Sequence, residues 1–192
     1  MGLRNFVADL QVRYMKSRAT GRQLSIPSDL LRPRHILVCL PPGLRELTMI
    51  KQFLPTISQL FKPADVTLLA MPGVNVYDIY PRKGFQILTP SKDQVTWTGL
   101  PKRTFIGLLQ GQKFDMILDF NLDNSRFTAA ILLMFPDAIR IGRGNHLGTP
   151  FYNLEIKTRY LRDERNIYRS LLETLSNIMD RPVDGLKPAA AY

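Results

Sequence analysis

Polar residues able to do chemistry gather in three places. The first is residues 41–46, Pro-Pro-Gly-Leu-Arg-Glu, between an apolar run and an amphipathic one. Glu46 is the carboxylate of that junction, and a base working at neutral pH needs a carboxylate or imidazole within hydrogen-bond reach of its proton. Arg45 stays protonated and could serve only as an anion clamp. Two prolines remove backbone N–H donors, and neither GxGxxG nor GK[ST] is present, so the loop is not a phosphate cradle. The second place is Arg140, Arg143 and His146 in the run RIGRGNH, a basic loop able to hold phosphate, carboxylate or an acidic partner. The third is the set Asp115, Asp119 and Asp123 around FDMILDF. Asp115 and Asp119 stand at opposite ends of an expected strand, roughly 13 Å apart, too far to share one ion. Asn124 or Ser125 should cap the following helix. His35 and His146 are the only histidines and Cys39 the only cysteine. They give no zinc spacing, no nucleophilic triad and no intramolecular disulfide, so no catalytic residue, metal or cofactor is assigned from motifs.

Charge points elsewhere. The chain of 192 residues carries a net charge of +10. Seven lysines and arginines stand against Asp9 and Asp29 up to Arg34, which is half the excess. Such a balance suits an acidic partner: a protein face, an anionic lipid surface or RNA. Leu3, Phe6, Val7, Leu10 and Tyr14 recur at helical spacing, which predicts an amphipathic docking helix over residues 3–15. That helix either folds back on its own domain or docks on a partner or membrane. Tyr152, Tyr160 and Tyr168 interleave with basic residues and could stack on bases or anchor an interface.

The elements that must position these residues alternate between strand and helix. Strands are expected at residues 36–40, 65–70, 86–89, 114–120 and 138–141, with an edge strand in 151–156 and a strand or loop at 95–98. Helices are expected at 45–61, where Pro55 must start a shorter helix or kink a longer one, from Pro101 to Gly111 with Phe105, Leu108 and Leu109 inward, at 125–135 and at 162–179. This order predicts an α/β chain: a single Rossmann-like domain with a mostly parallel sheet covered by helices on both faces, plus the N-terminal helix. Its divisions are a basic arm and linker over 1–32, the domain over 33–179, and a loose, proline-rich tail over 180–192. With 45% apolar residues a real core can form. No run reaches the ~18 apolar residues of a bilayer span, and no secretion signal opens the chain. A cytoplasmic chain, peripheral at a membrane-bound complex, is the expectation.

The run PRHILVCL, then FLPTISQLFKPADVTLLAMPG, KFDMILDF, DAIRIGRG and the closing RYLRDERNIYRSLLETL resembles the N-terminal half of the heptosyltransferase-like glycosyltransferases, glycosyltransferase family 9. The resemblance covers residues 33–179. It implies one half of a two-domain bacterial enzyme that builds the lipopolysaccharide core from nucleotide-activated heptose, with an aspartate base after the first strand. Here that position is Arg45 when aligned on the strand, or Met49 when aligned on Pro55, and the sequence ends where the donor-binding domain would begin. The expected function is therefore a non-catalytic glycosyltransferase-like domain, a pseudoenzyme serving as a structural or protein-binding subunit of a larger complex. Two alternatives stay open: a nucleotide-sugar-binding or active glycosyltransferase using Glu46, and an RNA-binding accessory protein.

Overall fold

The computed structural model describes residues 2–19, 23–80, 84–144, 147–183 and 186. Among them the elements run α1 (Leu3–Arg18), β1 (His35–Cys39), α2 (Leu44–Leu60), β2 (Asp65–Leu69), β3 (Gln86–Leu88), α3 (Arg103–Gly111), β4 (Met116–Asp119), α4 (Arg126–Met134), β5 (Ile139–Arg143), β6 (Leu154–Ile156) and α5 (Glu164–Met179). The strands form one parallel sheet in the order β3-β2-β1-β4-β5-β6. The α/β Rossmann-like expectation is what the chain adopts.

The apolar strands explain the two cores. Ile36, Val38 and Leu40 face one side with Met116, Leu118 and Phe120, where α2 and α5 supply Ile50, Ile57, Leu171 and Leu175. Leu37, Cys39 and Ile117 face the other, against Phe105, Leu109, Phe127 and Ile131 of α3 and α4. A parallel sheet covered on both faces needs such doubly apolar strands. Each side chain of this size contributes about 1.5–3 kcal/mol on burial. Pro55 lies inside α2 without dividing it. It sits on the exposed face, where water can serve the Lys51 carbonyl that the proline leaves without a donor.

Several local expectations are corrected. Of the two readings of residues 95–98 the loop holds; Val95 makes an isolated antiparallel bridge to Pro101, so Pro101 stands before α3 instead of opening it, and Lys102 is its N-cap. Leu108 faces outward, while Ile106 joins Phe105 and Leu109 in the core. The tail is anchored where it is described. The Arg181 guanidinium donates to the Leu60 and Lys62 carbonyls at the end of α2, at 3.0 and 2.9 Å, and Val183 and Leu186 are buried in the α2/α5 core.

The N-terminal helix folds back on its own domain, and it does so with the face opposite the expected stripe. Ala8 is fully buried beside Leu100 and Ala130, with Val12 and Met15 packed around it. Asp9 accepts from the Arg126 guanidinium through both oxygens, at 2.5 and 3.1 Å. Ala8 leaves no room for a larger side chain. The variant Ala8→Phe should cost about 1–3 kcal/mol by overpacking, seen as a lower melting temperature and faster hydrogen exchange confined to α1 and α4.

Candidate functional site

In an open parallel sheet, ligands meet the C-terminal ends of strands where the order reverses. Here the chain runs outward from β1 to β3 and returns to place β4 beside β1. A crevice of about 690 Å³ opens at that point, between the loop after β1 and the loop after β4. Its walls include Pro42, Gly43, Glu46, Asn121, Asp123 and Ser125, and α1 supplies Gly2, Arg4 and Asn5 across its mouth.

Glu46 is thus in the crevice, held at the first turn of α2. Its carboxylate lies so close to Gly43, the N-cap, that a Cβ on that residue would collide with it. A carboxylate three residues into a helix is favoured there by the unpaired backbone N–H groups and the helix dipole. Arg45 points away to the surface, where its Nε lies 3.3 Å from Glu164 at the start of α5. Met49 is half-buried and packs against the α2/α5 core. Beneath this corner Tyr168 donates to the Phe120 carbonyl at 3.1 Å. Burial pushes its phenol far above the ordinary range, and the nearby Glu46 and Glu164 carboxylates push the same way, so it stays neutral.

Asp119, at the end of β4, is a buried carboxylate behind Asn121 of the crevice wall. Its Oδ1 accepts from the Asn121 N–H at 3.0 Å and from the Asn121 amide at 2.7 Å; its Oδ2 accepts from the Tyr152 hydroxyl at 2.7 Å. Asn121 also donates to Thr128 Oγ1 at 3.2 Å. These bonds tie the β4 loop to α4 and to the segment before β6. Burial first, then the charge of Asp119, holds the Tyr152 phenol un-ionised. Tyr152 lies flat over Gly142, where a Cβ would fall inside its ring. Cys39, on the same face, is a buried thiol pushed well above its ordinary range by desolvation. Of the two expected caps for α4, Ser125 takes the role, accepting from the Thr128 N–H at 3.1 Å.

The basic loop expected around residues 140–146 is corrected in its main member. Arg140 is a buried residue of β5, not a loop cation. Its guanidinium donates to the Leu132 carbonyl near the end of α4 at 3.1 Å and to Asn153 Oδ1 at 3.3 Å, so it joins helix to sheet instead of meeting an anion. Arg143 closes β5 and is half-buried; His146 lies outside the described residues. Tyr152 and Tyr168 are core residues and cannot stack on bases; Tyr160 carries the Arg159 guanidinium over its ring. Among the described residues no cluster of His, Cys, Asp or Glu could hold a metal ion, and no helix is long and apolar enough to cross a membrane. The stripe residues Leu3, Phe6, Leu10 and Tyr14 are exposed, and Val7 is half-buried. Sequence reasoning missed α1 as a wall of the crevice and Tyr152 as the partner of Asp119. Both depend on contacts between distant segments.

No family model matches the chain, and no curated protein matches it. Solved structures do. The Escherichia coli heptosyltransferase WaaC with ADP aligns at a TM-score of 0.57 and 12% identity, over 77% of this chain and 48% of that one. The same enzyme with ADP-2-deoxy-2-fluoro heptose aligns at 0.56 and 10%, over 77% and 49%. The chain spans about half the length of these structures. At such identity the likeness shows the fold: a glycosyltransferase-like, Rossmann-like α/β domain.

Two measurements check the bond behind the crevice wall and the helix at its mouth. Tyr152→Phe should lower stability by about 1.5–3 kcal/mol, the usual worth of a hydrogen bond to a charged group, measured by urea unfolding. The Arg126 hydrogen bond and charge hold the Asp9 carboxyl below its ordinary 3.8. The pair therefore stabilises α1 fully above that ordinary value and loses its effect as pH falls through the lowered one. NMR shifts of α1 amides should report this loosening in acid, and Arg126→Ala should show the loosened state already at neutral pH.

Proposed function

We propose that the chain is a glycosyltransferase-like domain that works by binding through its surface, as a non-catalytic subunit of a larger assembly. The observation that carries the reading is the fate of the groups at the first strand's loop. The two positions where the family resemblance implies a catalytic aspartate hold Arg45, ion-paired at the surface, and Met49, packed into the core. The buried carboxylate at the end of β4, Asp119, is engaged by Tyr152 and Asn121. The chain's own helix, pinned by Asp9 and Arg126, covers the mouth of the crevice.

One feature favours a second reading, an active or nucleotide-sugar-binding domain. Glu46 stands in a crevice with Asn121, Asp123 and Arg4, a polar set suited to a hydroxyl-rich or phosphorylated ligand. WaaC was solved with ADP and with an ADP-sugar, which makes ADP-heptose the natural probe. With the purified chain and a lipopolysaccharide-core acceptor, no ADP release above buffer is expected, and Glu46→Gln should behave as the parent. ADP release that falls 100-fold or more in Glu46→Gln would replace the binding reading with the catalytic one.

A further inference from the structure

Helix α1 has two apolar faces, and its own domain uses one. Ala8, Val12 and Met15 meet α4 and the loop before α3. On the far side Leu3, Phe6, Leu10 and Tyr14 are 74, 60, 58 and 56% exposed. At 3.6 residues per turn these four fall within an arc of about 80° and span roughly 16 Å. Trp97 is 64% exposed and lies on the loop whose next residue, Thr98, is held to α1 by its hydroxyl and Gln11 at 3.4 Å. Between loop and helix runs an apolar groove of about 610 Å³, with Leu10, Tyr14, Met15, Pro101 and Met134 in its walls. Leu10 and Tyr14 belong to both stripe and groove, so the two are continuous.

Its charge is one-sided. Arg13 flanks the stripe on one edge, and Arg18 on the other lies over the Tyr14 ring at 4.4 Å. Arg4 and Lys16 turn to other flanks, to the crevice and over the Phe151 ring. Asp9, the helix's one acidic residue, turns to the opposite side and is bound by Arg126. The presented face is therefore apolar and cationic together.

We propose that this face of α1, with Trp97, docks the chain on an anionic lipid bilayer. The inference rests on the reading that the chain works through its surface, and it names that surface and its partner. The apolar side chains project outward from a convex helix, a shape that enters the acyl boundary of a leaflet. Leucine and phenylalanine suit that depth, tyrosine and tryptophan suit the headgroup level, and arginines at the edges meet lipid phosphates. α1 would lie in the plane of the interface, with its Ala8 face still on α4.

Trp97 is the chain's only tryptophan and reports directly. The test mixes the full chain with vesicles of phosphatidylcholine alone or with 30% phosphatidylglycerol, at about 0.1 M salt, where exposed charges act over about 10 Å. The expected result is sedimentation with the anionic vesicles and a blue shift of Trp97 emission, both at least tenfold weaker with neutral lipid. Phe6→Asp with Leu10→Asp should abolish both signals, and Arg13→Glu with Arg18→Glu should weaken them at least tenfold. Leu161→Asp, an exposed leucine elsewhere, should leave them unchanged. Circular dichroism and an unchanged gel-filtration volume confirm that each variant is folded. The proposal is overturned by absent binding to anionic vesicles, by stripe variants that bind as the parent does, or by a stripe-dependent complex with a second copy or an acidic protein in place of lipid. Sugar transfer by the chain would overturn the proposed function and leave vesicle binding standing, so the two fail separately.

Discussion

Strands packed on both faces leave a protein few places for polar chemistry, and that constraint shapes this molecule. Every strand of the sheet is parallel, and the central ones are buried on each side, so α2 and α5 must cover one face and α3 and α4 the other. Only the strand ends remain for polar groups. At the reversal between β1 and β4, two loops part and a crevice forms. Asp119, Asn121, Glu46 and Ser125 are near one another because of that reversal, not because of any spacing in the chain.

Beside the crevice several polar groups are bound to one another. Asp119 takes the Tyr152 hydroxyl and the Asn121 amide, which fixes the loop after β4. Glu46 lies over Gly43 at the start of α2. Arg140, on the same side of the sheet as Tyr152, donates from Nη1 to Leu132 and from Nε to Asn153, while its Nη2 is buried without a partner. A buried guanidinium or carboxylate is tolerable only with such partners, and the same partners keep it from a ligand. These polar residues near the site thus hold loops to helices.

That surface is uneven in a telling way. α1 spends its smallest side chain, Ala8, on its own domain, letting the helix approach α4 closely, and turns its largest apolar ones outward. Its acid is consumed inside, by Arg126, while its bases stay outside. The arrangement lays α1 beside the crevice and presents a cationic apolar ridge in one stroke. The helix that narrows the site is also the helix that carries the exposed apolar stripe.

The sequence by itself determined the layered α/β class, the strands β1 and β2 to within a residue, the helices α2 and α5, a cap for α4 at Asn124 or Ser125 and the inert state of Cys39. These follow from local periodicity, breaker residues and side-chain chemistry, which act over a turn or a strand. It also drew out the stripe Leu3, Phe6, Leu10 and Tyr14, since helical spacing is local too. Only the tertiary structure decided which face of α1 is buried, because Ala8 gives a weak periodic signal and its partner Ala130 is far along the chain. It alone turned Arg140 from a loop cation into a core residue, since a basic residue beside glycines looks the same in either setting. It alone paired Asp9 with Arg126 and Asp119 with Tyr152. Those bonds join residues separated by 117 and 33 positions, and no local pattern carries information over such distances.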